Sequence, residues 1–237
     1  MSKTIDFKNR YLKNLNTISL KEQAILEKSK VVVLGLGGIG GGVCEMLARV
    51  GVGNLTLVDG DVFEDSNLNR QLLCQEDLIG ENKALAAQKR VSAINSKIKT
   101  NCISKYLDKS NIYEAIKNHD VIVDCLDSID DRFMLEKAAK KALLPIVSGA
   151  IAGITAQTTT IFPNDKGYKA IYGNYDDQKK SKGVELETGN ISYCALFSAC
   201  LQSSECVKIL LNKGNLLRNK LLIAQLLTNS FEIIDLI

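Results

Sequence analysis

The chain alternates short apolar runs with longer stretches in which apolar residues recur every three or four positions. The continuous apolar runs occupy residues 31–34, 55–58 and 121–125. The periodic stretches occupy residues 39–50, 82–94 and 130–142. Uninterrupted apolar runs are typical of strands buried on both faces, and the periodic stretches are typical of helices. Their alternation predicts a parallel sheet with right-handed crossovers, in which ligands bind at the carboxyl ends of the strands.

Residues 1–30 are polar with scattered apolar positions, and they predict a helical arm before the first strand. Two short helices are expected in this arm, one near 7–14 and one at 20–28 that Ser19 caps. Further along the chain, an edge strand is predicted at 100–104 and a short helix at 110–118.

Beyond Pro145 the pattern becomes β-branched and alternating, which is expected of antiparallel strands. The elements predicted there are a short strand at 145–148, a strand at 154–162, an apolar helix at 193–211 and a hairpin of 221–227 with 231–237. The fold class is therefore α/β: a Rossmann-like, doubly wound, mainly parallel sheet extended by antiparallel C-terminal strands. We expect a single domain over residues 1–237.

Two polar segments interrupt the pattern. Residues 60–83 are rich in Asp, Asn and Arg, and so long a polar connection inside a domain is more often functional than idle. Residues 164–190 are polar and glycine-rich and predict a mobile crossover loop on the surface.

Composition narrows the class of protein. Of 237 residues, 46% are hydrophobic and 24% charged, which is typical of globular proteins and not of disordered ones. The net charge of +3, with both signs evenly mixed, argues against a nucleic acid or membrane partner. Neither an apolar leader nor an 18-residue apolar stretch is present, so we expect no signal peptide and no membrane span.

The seven cysteines are an odd number without a Cys-x-x-Cys pair, and the single histidine, His119, has no cysteine cluster around it. This pattern predicts neither a zinc site nor a disulfide framework. Reduced, mostly buried thiols in a cytoplasmic protein are the expected arrangement.

The first apolar run leads directly into the glycines Gly35, Gly37, Gly38 and Gly40. Glycine backbone can approach a phosphate closely, and the helix that follows presents free N–H groups and the positive end of its dipole. The next strand ends in Asp59, where a carboxylate can accept hydrogen bonds from a ribose. By itself this motif leaves three alternatives open: a nicotinamide or flavin dinucleotide, another nucleotide, or a structural glycine turn.

Two further residues favour an anionic ligand at the same edge. Lys83 lies in the first turn of a predicted helix, where a cation is unfavourable unless an anion is near, although a solvated lysine is the simpler interpretation. The strand at 121–125 leads into acidic residues that end in Asp127. Because parallel strands share one carboxyl edge, Gly35, Asp59 and Asp127 are expected to face one crevice.

The motifs GLGGIG, VDGDxFExSNLNRQ, GENKA, DCLDSxxxR and PIVSGA occur in this order. The sequence thereby resembles the adenylyltransferases of the ThiF, MoeB and HesA family, bacterial relatives of the ubiquitin-activating enzymes. The resemblance runs from about Asn9 to the C-terminal SFEIIDL. Its most specific part is Asn67-x-x-Arg70-Gln71 together with Asp127.

The resemblance implies ATP-dependent adenylation of the C-terminal glycine of a small ubiquitin-like sulfur carrier ending in Gly-Gly, of the ThiS or MoaD type, with release of pyrophosphate. The implied cofactors are ATP and Mg²⁺. The implied nucleotide site comprises Gly35, Gly37, Gly38, Gly40, Asp59, Asp61, Asn67, Arg70, Gln71, Lys83, Asp127 and Ser128.

Within that site the resemblance assigns Asn67, Arg70 and Gln71 to the phosphates, with Arg70 as a bidentate clamp. Lys83 becomes a second phosphate cation, and Asp127 the Mg²⁺ ligand. In the family an N-terminal arginine reaches the phosphates of the neighbouring subunit. Arg10 occupies the corresponding position, which implies a homodimer in which Arg10 acts in trans.

Several residues near these motifs have simpler interpretations. Asp61 and Asp65 can be loop or turn formers, and Asp124 can hydrogen-bond locally or touch metal. Asp130 and Asp131 are expected to be N-terminal helix charges. Arg132 fits the spacing of the family, with an exposed helix arginine as the alternative. Core thiols are favoured over catalysis for the cysteines of the apolar helix, which are Cys194, Cys200 and Cys206.

The chain departs from the family pattern in three ways. Many relatives carry two Cys-x-x-Cys pairs, and their absence implies that no structural zinc is bound. No cysteine lies between Phe162 and Tyr193, so adenylation without an enzyme thioester is favoured. Ser128 stands where asparagine is common, which puts the contacts of this position with the nucleotide in question.

Three alternative functions remain open from the sequence. Within the family, the chain could be an ATP-dependent dehydratase acting on modified tRNA, which the near-neutral charge disfavours. A nicotinamide oxidoreductase is disfavoured by Arg70 and Lys83. A non-catalytic partner subunit is disfavoured by the retained arginine and metal aspartate.

Overall fold

The computed structural model describes residues 7–174 and 188–236. Its strands are β1 (Lys30–Leu34), β2 (Asn54–Val58), β3 (Lys99–Ile103), β4 (Val121–Asp124), β5 (Ile146–Ala152), β6 (Thr155–Ile161), β7 (Lys220–Gln225) and β8 (Ser230–Asp235). Its α-helices are α1 (Phe7–Arg10), α2 (Leu20–Lys28), α3 (Gly38–Val50), α4 (Lys83–Ile94), α5 (Ile112–Ile116), α6 (Ile129–Ala142), α7 (Lys169–Tyr172) and α8 (Ser192–Leu211).

The described strands form one eight-stranded sheet in the order β3-β2-β1-β4-β5-β6-β7-β8. Strands β1 to β5 are parallel to their neighbours within that group, and β6, β7 and β8 join in antiparallel fashion. The predicted fold class is therefore confirmed. Because the strand order reverses between β1 and β4, the carboxyl ends of these strands open a crevice, the usual place for a ligand in such sheets.

Strand β1 occupies the middle of the parallel part and is buried on both faces. Val31 and Val33 point to one side, where α3, α4 and α8 cover the sheet. Val32 and Leu34 point to the other side, where α5 and α6 cover it. This two-sided burial explains why the β1 segment is an uninterrupted apolar run.

Most predicted elements match the observed ones within a few residues, with two differences. Helix α1 ends at Arg10 and does not reach residue 14, because Tyr11 is buried and its hydroxyl accepts a hydrogen bond from the Asn95 side chain. Strand β5 runs to Ala152 instead of ending at 148, because it pairs along its whole length with β6.

The segment predicted as a mobile crossover loop is described only in part. Its beginning contains α7 and the fully buried Tyr168, which packs in the core beside Leu135 and Ile161. Residues 175–187 lie outside the described residues, so the mobility of the loop stays a prediction.

Helix α8 spans 20 residues and, by length and composition alone, is apolar enough to cross a membrane. It packs against α3, β5 and β6 as a core helix of the domain. The approach to α3 is close: a Cβ on Gly42 would lie 2.8 Å from the Cβ of Ala199. Cys194 and Cys206 are buried in this packing, as predicted, whereas Cys200 is exposed.

Candidate functional site

A cavity of about 490 Å³ opens at the carboxyl ends of β1, β2, β4 and β5. Most of the residues proposed from the sequence line it together. These residues are Gly35, Gly37, Gly38, Asp59, Asp61, Arg70, Gln71, Lys83, Asp127 and Arg132. Gly40, Asn67, Ser128 and Arg10 are not among the lining residues.

The floor of the cavity is the glycine turn between β1 and α3. Gly35 has φ +82°, and a Cβ there would lie 2.8 Å from the carbonyl oxygen of Cys125. A Cβ on Gly40 would lie 1.8 Å from the carbonyl oxygen of Gly35, so Gly40 allows the turn to fold onto the helix and does not face the ligand. Among the described residues, no side chain caps the α3 N-terminus at Gly37. The first N–H groups of α3 are therefore available to an anion.

Asp59 holds this turn in place. One carboxylate oxygen accepts the Leu36 N–H at 2.7 Å and the other accepts the Asp61 N–H at 2.8 Å. Burial raises the pKa of Asp59, against the lowering effect of these two hydrogen bonds. The sequence assigned Asp59 to a ribose alone, whereas the structure gives it a second role in shaping the glycine turn.

Lys83 is the first residue of α4, and its side chain is only 8% exposed. Asn82 caps this helix by accepting the N–H groups of Ala84 and Leu85, which fixes Lys83 in the first turn as predicted. The Nζ atom lies 3.2 Å from Oδ2 of Asp61, whose side chain is 48% exposed. A buried ammonium at the positive end of a helix dipole, with one half-solvated partner, is suited to hold an incoming anion.

Asp61 also accepts a hydrogen bond from the hydroxyl of Tyr106, whose ring packs against the backbone of Gly60. Burial raises the pKa of Asp61, but the hydrogen bonds from Tyr106 and Lys83 outweigh this effect and lower the pKa below its usual range. Asp61 is therefore an ion-pair partner of Lys83, in addition to its place in the loop. Tyr106 and Lys105 line the cavity and were not singled out from the sequence.

Of the signature Asn67-x-x-Arg70-Gln71, Arg70 and Gln71 line the cavity and Asn67 does not. Asn67 is buried and accepts the Glu64 N–H, which caps a 3-10 turn at Asp65–Asn67. Its phosphate contact stays a prediction. Arg70 lines the cavity and donates to the Ser66 carbonyl and the Asn69 side chain. Gln71 is buried beside Gly37, and its side-chain oxygen has no hydrogen-bond partner in the part of the chain that the structure describes.

The acidic residues after β4 take different positions. Asp127 is exposed at the cavity, where it can bind a ligand. Ser128 instead caps α6 by accepting the Asp131 N–H at 3.3 Å, and it does not line the cavity. Asp130 and Asp131 lie in the first turn of α6, as predicted for helix charges.

Asp124 and Arg132 form a buried ion pair beneath these residues. The Arg132 Nη1 atom lies 3.1 Å from Oδ2 of Asp124, and the two side chains are 5% and 0% exposed. The exposed alternative for Arg132 is therefore wrong, and the local role of Asp124 is confirmed. Ser148 and the Tyr168 hydroxyl also donate to Asp124. A carboxylate inside a continuous apolar strand requires such partners, and that signal was present in the sequence.

Arg10 lies at the other end of α4, where Nη1 donates to the Ile94 carbonyl at 2.6 Å. Lys83 and Ile94 are the two ends of this 12-residue helix. At 1.5 Å per residue the helix is roughly 18 Å long. Within one chain, the described structure does not bring Arg10 to the cavity.

The cavity matches the chemistry of a nucleoside triphosphate. Lys83, Arg70 and the α3 N-terminus are donors for phosphate oxygens, and the Gln71 side-chain oxygen is a buried acceptor without a partner. Asp127 adds a hard oxygen ligand of the type Mg²⁺ prefers. The residues present therefore fit ATP and a divalent cation.

A family model described as the ThiF family matches residues 9–236. A protein named SAMP-activating enzyme E1 from Haloferax volcanii is 32% identical over 226 residues, covering 94% of this chain and 83% of that protein. A molybdopterin-synthase adenylyltransferase from Haemophilus influenzae is 30% identical over 210 residues, covering 88% and 85%. The fold is similar to the crystal structure of E. coli MccB with ATP, with a TM-score of 0.84, 24% identity, and coverage of 97% of this chain and 72% of that one.

Proposed function

Because this chain belongs to the ThiF family, we propose that it is an adenylyltransferase that activates the C-terminal glycine of a ubiquitin-like sulfur-carrier protein. In this reaction a carboxylate oxygen of the carrier attacks the α-phosphorus of ATP. The bond between that phosphorus and the oxygen bridging to the β-phosphorus breaks, and pyrophosphate leaves. The product is an acyl adenylate at the carrier terminus.

The observation that carries the proposal is Lys83, a buried ammonium beside the glycine turn whose one ion-pair partner in the described structure is half-exposed. Negative charge grows on the phosphate oxygens during displacement at phosphorus, and a fixed cation stabilises it. Arg70 supplies a second cation, whose planar donors suit bidentate contact with phosphate. Hydride transfer, by contrast, builds no negative charge on phosphate oxygens that such a pair of cations would stabilise.

The glycine turn and Asp59 would hold the nucleotide, and the buried side-chain oxygen of Gln71 would be available to it as an acceptor. Asp127 would hold Mg²⁺, which, when bound, neutralises phosphate charge and orients the leaving group. This chain's own residues supply the anion-binding N–H groups, the two cations and the carboxylate.

The carrier tail would approach the α-phosphate along the cavity wall formed by the end of β5. This wall consists of Ala150, Ile151 and Ala152, which line the cavity and are small or apolar. An extended tail ending in Gly-Gly can make such an approach because its last residues have no side chains.

We also propose a homodimer in which Arg10 of one subunit reaches the phosphates bound by the other. The distance of Arg10 from its own cavity supports action in trans. Exposed apolar side chains on the connection that carries Arg70 offer a surface for the second subunit, and they are Val62, Leu68, Leu72 and Ile79.

We expect a zinc-free cytoplasmic enzyme that forms no thioester with its carrier. The seven cysteines are free and none forms a Cys-x-x-Cys pair. Cys125 lines the cavity, but burial raises its pKa well above the usual range, which keeps the thiol protonated and weakly nucleophilic.

The experiment is exchange of labelled pyrophosphate into ATP by the purified chain. The probe is a ubiquitin-like protein ending in Gly-Gly from the same genome, and the matched control is that protein without its last glycine. We expect Mg²⁺-dependent exchange with the intact carrier only. Absence of exchange with every Gly-Gly carrier of the genome, or tight NAD binding without ATP binding, would overturn the proposal.

A further inference from the structure

The buried Asp124–Arg132 pair takes no part in the reaction proposed above, yet Arg132 lines the cavity at its β4–β5 wall. Both terminal nitrogens of the Arg132 guanidinium are bonded to acceptors from two segments, the end of β4 with the residues after it and β5. It donates to the carbonyl of Leu126, to the carbonyl of Gly149 at 2.8 Å and to the Ser148 hydroxyl at 2.8 Å, besides pairing with Asp124. The planar fork makes this simultaneous bonding possible, and an ammonium cannot reproduce it.

Two of these acceptors adjoin functional groups of the cavity. Leu126 directly precedes Asp127, the proposed metal ligand, and its backbone N–H donates to the Asp124 carboxylate at 3.0 Å. Both polar groups of the Leu126 backbone are thus fixed by the buried pair. Gly149 directly precedes Ala150 on the wall assigned to the carrier tail.

The Tyr168 hydroxyl adds a third connection, because it donates to Asp124 at 2.5 Å. Tyr168 immediately precedes α7, whose last residue, Tyr172, lines the cavity. Burial and the adjacent carboxylate raise the pKa of Tyr168, so the hydroxyl stays a donor. One buried carboxylate therefore joins the Asp127 loop, the end of β5 and the start of the crossover segment.

We propose that Arg132 is a positioning residue that orients the Asp127 carboxylate for its divalent cation, with the Tyr168 hydroxyl holding the same arrangement. This inference rests on the proposed function, since it concerns the cation that accompanies ATP. Residues that orient metal ligands typically change metal affinity by about 10- to 100-fold when they are replaced.

The test compares Arg132→Lys, which keeps the charge and loses the fork, with Arg218→Lys as its matched control. Arg218 donates to the Asp165 carboxylate through Nε and Nη2 but does not line the cavity. Binding of Mn²⁺ to the chain with a non-hydrolysable ATP analogue is followed by electron paramagnetic resonance. The Mg²⁺ concentration at half-maximal pyrophosphate exchange is measured in parallel.

For Arg132→Lys we expect Mn²⁺ affinity to fall about tenfold and half-maximal exchange to need about tenfold more Mg²⁺, while saturating Mg²⁺ restores the rate. Arg218→Lys should change neither value. Unchanged Mn²⁺ affinity in folded Arg132→Lys overturns the positioning role, even if the exchange rate falls. Failure of the wild-type chain to bind Mn²⁺ with the analogue would instead contradict the proposed function.

If Arg132→Lys does not fold, Tyr168→Phe keeps the ring in its aromatic cluster with Phe133 and removes only the hydroxyl. It should weaken Mn²⁺ binding about threefold, as loss of one hydrogen bond implies. Tyr113→Phe, whose ring faces Lys141 outside the cavity, is the matched control. Equal Mn²⁺ affinity in Tyr168→Phe and Tyr113→Phe would overturn the inference.

Discussion

The two walls of the cavity each contain a buried cation, and the two cations differ in how many protein acceptors surround them. At the β1–β2 wall, Lys83 has one ion-pair partner in the described structure, and that partner is half-exposed. At the β4–β5 wall, Arg132 is surrounded by four acceptors, including the fully buried Asp124. Lys83 therefore has N–H groups left to donate to a ligand, whereas most of the N–H groups of Arg132 already donate to protein acceptors.

This difference teaches how to separate a binding residue from a positioning residue when both are buried, charged and next to the same cavity. Burial alone does not distinguish them. The saturation of hydrogen-bonding groups does, because a group already satisfied by the protein gains little from a ligand. Four measurements test this distinction.

The largest effect is expected from Arg132→Ala. The change leaves Asp124 as a buried carboxylate without its cation, which should lower the free energy of unfolding by about 3–5 kcal/mol. Denaturant unfolding followed by circular dichroism measures it. A loss below about 1 kcal/mol would mean that the β4–β5 pair is not structural, and the contrast between the walls would fail.

Next comes Lys83→Ala, which should lower the pyrophosphate exchange rate by about 10²- to 10³-fold, as loss of one preorganised charge-stabilising donor does. Arg70→Ala should behave in the same way. Stability should change little, because water can solvate the half-exposed Asp61 that remains.

The control for this prediction is Lys89→Ala on the same helix, since Lys89 pairs with Glu81 at the surface. Its exchange rate should equal that of the wild type. A Lys83→Ala variant that exchanges normally would remove the basis for assigning the β1–β2 wall to phosphate.

Gly35→Ala tests the junction at which the two walls meet. An alanine there must adopt φ near +82° and also displace the Cys125 carbonyl, which belongs to the β4 side. Gly80→Ala has a similar φ of +85° with no atom within 4 Å, so it measures the conformational cost alone. We expect Gly35→Ala to be less stable than Gly80→Ala by about 1–3 kcal/mol in denaturant unfolding. Equal losses would show that the walls are not in close contact.

The smallest effect concerns the pH dependence of the β1–β2 wall. Asp61 has a lowered pKa in the folded chain, so its contribution to stability is present above the unfolded pKa of about 3.9 and is lost as the pH falls further. Tyr106→Phe removes one hydrogen bond that lowers this pKa. The stability difference between wild type and variant should therefore appear above about pH 4 and vanish in stronger acid. A difference that persists unchanged to pH 2 would assign the effect to packing of the ring.

The sequence predicted the sheet, the glycine turn and the place of Lys83 because their determinants are local. An apolar run, a glycine series and an Asn82 cap each act within a few residues of their position. The predicted parallel sheet also implied that Gly35, Asp59 and Asp127 lie at one crevice, since the parallel topology fixes which strand ends meet.

For Arg132 and Tyr168, what the sequence did not predict depends on partners in other elements of the fold. Arg132 is buried because Asp124, Ser148 and Gly149 surround it, and its helix spacing alone gives no sign of them. Tyr168 lies in a polar, glycine-rich segment and is nevertheless buried. Its hydroxyl can be buried because it donates a hydrogen bond to Asp124. Asn67 belongs to the most specific motif, yet it caps its own turn, since a side chain so close to free backbone N–H groups bonds to them first.

The close contact of α3 with α8 has a consequence for the synthesis of this protein. The glycine turn and α3 are translated before the segment that carries Ala199, which covers Gly42. Until α8 is made, the face of α3 at Gly42 lacks the cover that Ala199 and Leu196 provide. The nascent chain therefore exposes this face of the helix from the synthesis of α3 until that of α8, and that interval is when a chaperone has the most to protect.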